Sequence, residues 1–371
     1  MDRLQQDKLC LLLRQLLASN PLAPFIEIKE KNDGIVVIKP NDILIKLIKE
    51  CLIGKEPNNL KEMTLKEIFT LLEDFMKLNA NNEEFAKLLN APIDLTSFSE
   101  GERNDIEALL YNAYRFNKDA FADKQSSDVI AMVFGSSLPN VCKRFYYFLI
   151  QLAVLKKSGI EPNIQVVGLL GSDRKLTKEE NELLAKISPD LQIYDNEFDA
   201  MKAIFMHREL VELTLGQDCI DPREKKTGNS DLTLQYLMRE ANVTIKDCLE
   251  IYDSLSKKLC AVKTCRESQK DNAPTTKDTV IEFFKELKRL DEESKATPKD
   301  FIALIATSQP FALDQTLKTL LALSSCGTLP KDIIAIAPEI KNIPKALLLS
   351  NLAKIVGNML TLLGTAGMQC A

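Results

Sequence analysis

Val129-Ile130-Ala131-Met132-Val133-Phe134, followed by Gly135-Ser136-Ser137-Leu138-Pro139, is the stretch that decides the fold. Its apolar residues stand in a row without polar alternation, the pattern of a strand buried on both faces, as parallel sheets require. The small residues and the proline after it mark a turn into a helix. The same order recurs at Ile164 to Leu170, Phe301 to Ala306 and Ile333 to Ala337, each run followed by a turn and a helical segment. Strands alternating with helices predict an α/β fold with an open parallel sheet and helices on both sides.

Outward from these runs the pattern changes. From Met1 to about Phe121 it is mostly helical, interrupted where Phe25-Ile26-Glu27-Ile28-Lys29 and Ile35-Val36-Val37-Ile38 flank Asn32-Asp33-Gly34, an Asp-Gly hairpin signal. A polar break at Lys124-Gln125-Ser126-Ser127 separates this region from the strand-bearing one. The expected organisation is a mainly helical region with a hairpin over residues 1–124, and a Rossmann-like domain over 125–343. The stretch from Phe198 to about Val262 reads as a helical insertion in that domain, and 344–371 as a C-terminal helix packed on it. In that last segment Leu348, Leu352, Ile355, Met359 and Leu363 recur at helical spacing, so core packing is expected. Ser350, Asn351, Lys354 and Asn358 interrupt the segment, and no membrane span is expected.

Composition narrows the classes. The chain has 371 residues, more than one core usually supports, and 45% of them are hydrophobic, as in ordinary globular proteins. With 48 basic and 53 acidic residues the net charge of -5 offers no general field for phosphate backbones, so no nucleic-acid partner is expected. Nine scattered cysteines fit a reducing compartment, and the expected location is the cytoplasm. Cys260 and Cys265 lack a second pair or a histidine cluster, so no structural metal is expected.

Open α/β sheets bind ligands where loops leave the carboxyl ends of their strands. After the first run, Gly135 and Ser136 would let a backbone approach a ligand, and amides at the following helix start suit an anion; a plain strand-to-helix turn fits equally. The lone glycine is not a dinucleotide fingerprint. After the second run comes Gly171-Ser172-Asp173-Arg174, then Thr177 and Glu180 at capping-box spacing. Arg174 suits a phosphate or carboxylate, with Asp173 placed to orient it or to hold a hydroxyl. Pro274-Thr275-Thr276-Lys277-Asp278-Thr279 begins another helix, with Thr276 and Thr279 a turn apart. Thr307-Ser308-Gln309-Pro310-Phe311 follows the third run, a set of residues that suits ligand binding or helix capping.

Taken together, Val133-Phe134-Gly135-Ser136, Gly171-Ser172-Asp173-Arg174 with Glu179 and Glu180, Pro274-Thr275-Thr276-Lys277-Asp278-Thr279 and Ala306-Thr307-Ser308-Gln309-Pro310-Phe311 resemble the ElyC/SanA/YdcF family of Rossmann-like proteins, in a variant with an enlarged helical middle. The resemblance covers about Asp128 to Pro338. It implies a nucleotide-like or other anionic ligand in a pocket lined by Gly135, Ser136, Arg174, Glu180, Thr276, Thr279, Thr307 and Ser308. Many members carry a histidine soon after the Thr-Ser pair. Gln309-Pro310-Phe311 stands there in this chain, so no role borrowed from that histidine carries over.

Three functional readings follow. The first is a domain that binds a small anionic metabolite, with S-adenosylmethionine, a nucleotide or Mg²⁺ as the cofactors to consider. The second is an interaction or scaffolding protein that meets a protein partner through its helical N-terminal region and insertion. The third is a hydrolase or transferase in which Asp173, Glu180 and Asp278 hold Mg²⁺ through oxygen ligands. The only histidine, His207, lies in Met206-His207-Arg208-Glu209 without a serine or cysteine motif, and reads as structural.

Overall fold

The computed structural model describes residues 2–19, 24–30, 36–52, 57–79, 82–111, 128–135, 138–172, 175–190, 193–207, 238, 242–264, 276–294, 300–306, 312–336 and 344–368. By contacts the chain divides into two compact units. One comprises Met1–Asn112, Phe311–Leu329 and Glu339–Ala371; the other comprises Ala113–Pro310 and Pro330–Pro338.

The first unit is helical. In chain order it holds α1 (Arg3–Ser19), the hairpin of β1 (Ile26–Glu30) and β2 (Val36–Pro40), then α2 (Asp42–Leu52), α3 (Leu65–Asn79), α4 (Glu83–Leu89) and α5 (Glu100–Tyr111). The hairpin strands pair antiparallel, Ile26 opposite Pro40 and Glu30 opposite Val36, as the Asp-Gly signal predicts. Two later helices, α11 (Ala312–Ser325) and α12 (Lys345–Thr365), also belong to this unit.

Sequence packs α12 on the domain of residues 125–343; within that stretch it contacts α11, and its other contacts are with α1, α2, α3 and α4 of the helical unit. The reason is its breadth of burial. Leu348, Leu349, Leu352, Ile355, Val356, Met359, Leu362 and Leu363 are all buried, which makes α12 the central helix of the helical unit. Its 21 residues, with a mean hydropathy of 1.6 in the most apolar window, are long and apolar enough to cross a membrane, and 56% of that window is buried among these helices. Asp314 ties α11 to it, accepting from Asn358 Nδ2 at 2.9 Å while pairing with Lys318.

The second unit contains a five-stranded, all-parallel sheet. Its elements in chain order are β3 (Asp128–Gly135), α6 (Leu138–Lys157), β4 (Asn163–Ser172), α7 (Lys178–Ile187), α8 (Glu197–Met206), α9 (Ile245–Leu255), β5 (Leu259–Thr264), α10 (Thr276–Ser294), β6 (Phe301–Ala306) and β7 (Asp332–Ile336). The sheet order is β5-β4-β3-β6-β7. Every residue of β3 from Val129 to Gly135 and every residue of β6 is buried, as their unbroken apolar sequences require.

Helices α6, α8 and α9 form one core with Val129, Ala131 and Val133 of β3, and its aromatic heart is Phe145, Phe205 and Tyr252, with the Phe145 and Phe205 centroids 4.7 Å apart. Helix α10 packs on β4 and β5. There Gly168 makes room for the Phe283 ring, which would lie 2.7 Å or closer to any Cβ at that position.

Leu259–Thr264 corrects the helical reading of Phe198 to Val262, because it is a strand. It is one of the two edge strands, its Leu259 and Cys260 only half-buried, and its apolar run is confined between Lys257-Lys258 and Lys263. An edge strand needs no long apolar run, so its sequence lacks the cue that reveals β3. Residues 208–237 and 239–241, about half of the remaining insertion, lie outside the described residues.

Candidate functional site

The sheet order fixes where a ligand crevice is expected. From β3 the chain steps through β4 to β5 on one side, then returns to β6 and β7 on the other. Strand order therefore reverses between β3 and β6, the switch point outside whose carboxyl ends open α/β sheets bind ligands. The strand ends are nearly level: Gly135 is paired with Gly171, and Val133 with Ala306. The loops that leave here begin with the residues singled out in the sequence.

The two glycines at this edge are required by packing. A Cβ on Gly135 would collide with the Val141 side chain and stand 3.0 Å from the Val141 Cα, so β3 turns tightly into α6 only because position 135 is bare. A Cβ on Gly171 would strike the carbonyl oxygen of Gly135 and lie 2.9 Å from the Phe198 ring. Close approach of strand and helix accounts for both residues before any ligand is considered.

Charge is concentrated at the same edge. Arg144, on α6, is buried and its Nη1 donates to the carbonyl oxygen of Phe134, the penultimate residue of β3. Glu180 is buried too. Its Oε2 accepts from the Thr177 backbone N–H at 2.9 Å, and its own N–H donates to Thr177 Oγ1 at 3.2 Å, the capping box expected from the spacing. Its other oxygen, Oε1, accepts from the backbone N–H of Leu138 at 3.2 Å. One carboxylate thus serves the starts of α6 and α7 together. Glu197, in the first turn of α8, has no exposed surface, and its neighbour Phe198 lies against Gly171.

Of the residues expected in the pocket, Gly135, Gly171 and Glu180 meet at the ends of β3 and β4. Thr276, Asp278 and Thr279 lie in the first turn of α10, where Asp278 is exposed and Thr279 is buried. Ser136, Asp173, Arg174, Thr307 and Ser308 lie outside the described residues. Of the amides at the start of α6 expected to receive an anion, that of Leu138 is bonded to Glu180, and Pro139 beside it has no N–H to offer. His207 closes α8, exposed, its N–H donating to Ala203 and Ile204.

Sequence reading missed Arg144 and Glu197 as buried charges of this edge. For Arg144 a signal existed: Phe145-Tyr146-Tyr147-Phe148 follows it directly, so a charge is set in a helix apolar around most of its circumference. Nothing local marks Glu197, whose burial is a product of tertiary packing.

Among the described residues, hollows also lie elsewhere. At the amino end of the sheet a cavity of about 230 Å³ is lined by Leu152, Lys156, Asn163, Ser254 and Lys258, among others. In the helical unit a groove of about 880 Å³ runs between Lys66, Phe69 and Glu73 of α3 and Ser350, Lys354, Gly357 and Thr361 of α12. Among the described residues no three of His, Cys, Asp and Glu are grouped to hold a metal ion. Comparison of the chain with protein-family models, with curated proteins and with solved structures finds no match.

Proposed function

We propose that the sheet-bearing unit binds a small anionic metabolite, nucleotide-like or phosphorylated, at the carboxyl edge between β3 and β6. The observation that carries this reading is the reversal of strand order at β3 and β6, where Gly135-Ser136-Ser137 and Thr307-Ser308-Gln309 leave adjacent buried strands. Arg174 is the anion clamp, its planar guanidinium matching two oxygens of a phosphate or carboxylate. Ser136, Thr307 and Ser308 supply hydroxyl donors. The likeness of these loops to the ElyC/SanA/YdcF family points the same way.

Thermal unfolding against nucleotides, S-adenosylmethionine and sugar phosphates, with and without Mg²⁺, tests the proposal. A ligand at about 100 times its dissociation constant adds ~2.7 kcal/mol and raises the midpoint by several degrees. The shift is expected to vanish in Arg174→Ala and to shrink in Ser308→Ala. A hit that survives both substitutions places the ligand elsewhere.

The open groove between α3 and α12 favours a second reading, in which the helical unit receives a protein partner. A charge reversal there, Lys354→Glu, would weaken such a partner and leave metabolite binding as it was.

A further inference from the structure

We propose that the hollow at the amino end of the sheet is a second binding site, for a small amphipathic carboxylate whose apolar body lies on an aliphatic floor and whose charge lies at a lysine rim. It stands at the opposite end of the sheet from the metabolite crevice, and neither reading depends on the other.

The floor is built from both helices that flank the hollow and from the strand below it. Leu152 of α6, Ile164 of β4, and Ile251 and Leu255 of α9 are buried, as is Ile160 in the turn between α6 and β4. With the rim they bound about 230 Å³. A cavity of about 150 Å³ lined by such side chains binds benzene. This one therefore has room for a ring with a short acid tail, and burial of the ring away from water supplies the attraction.

The rim sets the charge. Lys156, Asn163, Ser254 and Lys258 are exposed around the opening, and Glu161 is the one acid among the lining residues. The C-terminal turns of α6 and α9 line the hollow. A helix C-terminus favours a nearby cation, which by itself accounts for Lys156 in the last turn of α6. It does not account for the placement of Lys258, which stands in the short 3₁₀ turn Ser256–Lys258 beyond α9 and whose Nζ donates to the carbonyl oxygen of Ile164 at 2.6 Å.

That bond fixes the Lys258 ammonium at a floor residue. An ammonium carries three donors, so two are left for a ligand. Among the described residues neither lysine is paired with a carboxylate. Ser254 Oγ donates to the Ile251 carbonyl oxygen at 2.7 Å and has no proton left for an anion, so recognition of the carboxylate falls to the lysines.

The test titrates the full chain, with ¹³C-labelled methyl groups, with phenylacetate. Acetate lacks the ring and 2-phenylethanol lacks the charge. With phenylacetate the methyl signals of Leu152, Ile160, Ile164, Ile251 and Leu255 are expected to move together and saturate, with a dissociation constant on the order of 1 mM for so small a ligand. The alcohol should bind about two- to fivefold more weakly, the worth of an exposed ion pair, and acetate should leave the signals in place. Lys258→Met should weaken phenylacetate by about the same factor and leave the alcohol as it was; Lys156→Met serves in its place if that variant does not fold. Ser254→Phe, on the exposed rim, fills the hollow and should abolish both responses.

Absence of a saturating movement of these five signals in the unmodified protein overturns the proposal. Equal affinity for the acid and the alcohol, or phenylacetate binding that survives Ser254→Phe, overturns it as well.

Discussion

The two ends of the parallel sheet handle polar groups in opposite ways. At the amino end they stand partly in water: Asp128 accepts from Asn163 Nδ2 at 2.7 Å and from Gln165 Nε2 at 3.0 Å, and Lys157 pairs with Asp247 at 3.0 Å. At the carboxyl end Arg144, Glu180 and Glu197 are all buried. Burying a charge costs several kcal/mol unless it is paired or well hydrogen-bonded, and the bonds of Arg144 to Phe134 and of Glu180 to Thr177 and Leu138 offset that cost. The difference teaches that polar groups at the carboxyl end depend on protein bonds where those at the amino end also have water.

Glycine substitution should give the largest contrast. Gly135→Ala drives a Cβ into Val141 and is expected to cost about 3 kcal/mol through overpacking and displacement of α6, measured by urea denaturation. Gly159 lies past the end of α6 toward the amino end, with φ +76° and open space around its missing Cβ. Gly159→Ala should cost only about 1 kcal/mol, the strain of a left-handed residue with a side chain. Equal costs would break the comparison.

Arg144 offers the next step. Arg144→Met keeps the apolar stem but leaves the buried Phe134 carbonyl without its guanidinium donor, for an expected loss of about 2 kcal/mol. Its counterpart at the other end is Asn163→Ala, which removes one exposed bond to Asp128 and should change stability by about 0.5 kcal/mol or less. If the arginine variant were as stable as the asparagine variant, the buried charges would be incidental.

These contrasts also measure what the sequence can reveal. Val129 to Phe134 and Phe301 to Ala306 are legible as strands because burial on both faces removes polar alternation, whereas their pairing with each other is seen only in the structure. Leu259–Thr264 is hidden because an edge strand between lysines is too short and too polar at its borders. Thr177 and Glu180 announce their capping box by spacing alone. The reach of Glu180 to Leu138, across 42 positions of sequence, belongs to the tertiary fold and no local pattern encodes it. The full set of neighbours of α12 is hidden for a related reason: periodicity shows that a helix has an apolar face, but not which neighbour covers it.

The start of α9 yields an effect of intermediate size. Thr244 accepts from the Asp247 N–H at 3.2 Å and Asp247 Oδ2 accepts from the Thr244 N–H at 2.7 Å, a second capping box. Thr244→Ala should cost about 1 kcal/mol, a loss readable as a lower urea midpoint with an unchanged slope.

The smallest effect is the most specific in its pH dependence. Partial burial pushes the Asp247 carboxyl up, but the Thr244 amide and hydroxyl and the Lys157 ammonium outweigh it and hold the group down, from an ordinary 3.8 to about 2. A carboxyl depressed in the folded state contributes stability that is complete above its unfolded value and is lost as pH falls through the folded one. The protein should therefore lose this contribution between pH 3.8 and about 2. Lys157→Met removes one of the depressing groups and leaves the Thr244 bonds, so the acid loss should be smaller and complete at a higher pH, while stability at neutral pH falls by only about 0.5 kcal/mol, as expected for an exposed pair. Unfolding midpoints of both proteins across this acid range, at low and high salt, decide the matter. Salt should erase the difference between them, because the pair at the amino end is open to ions, whereas the Arg144→Met deficit should persist in salt because its bond is buried.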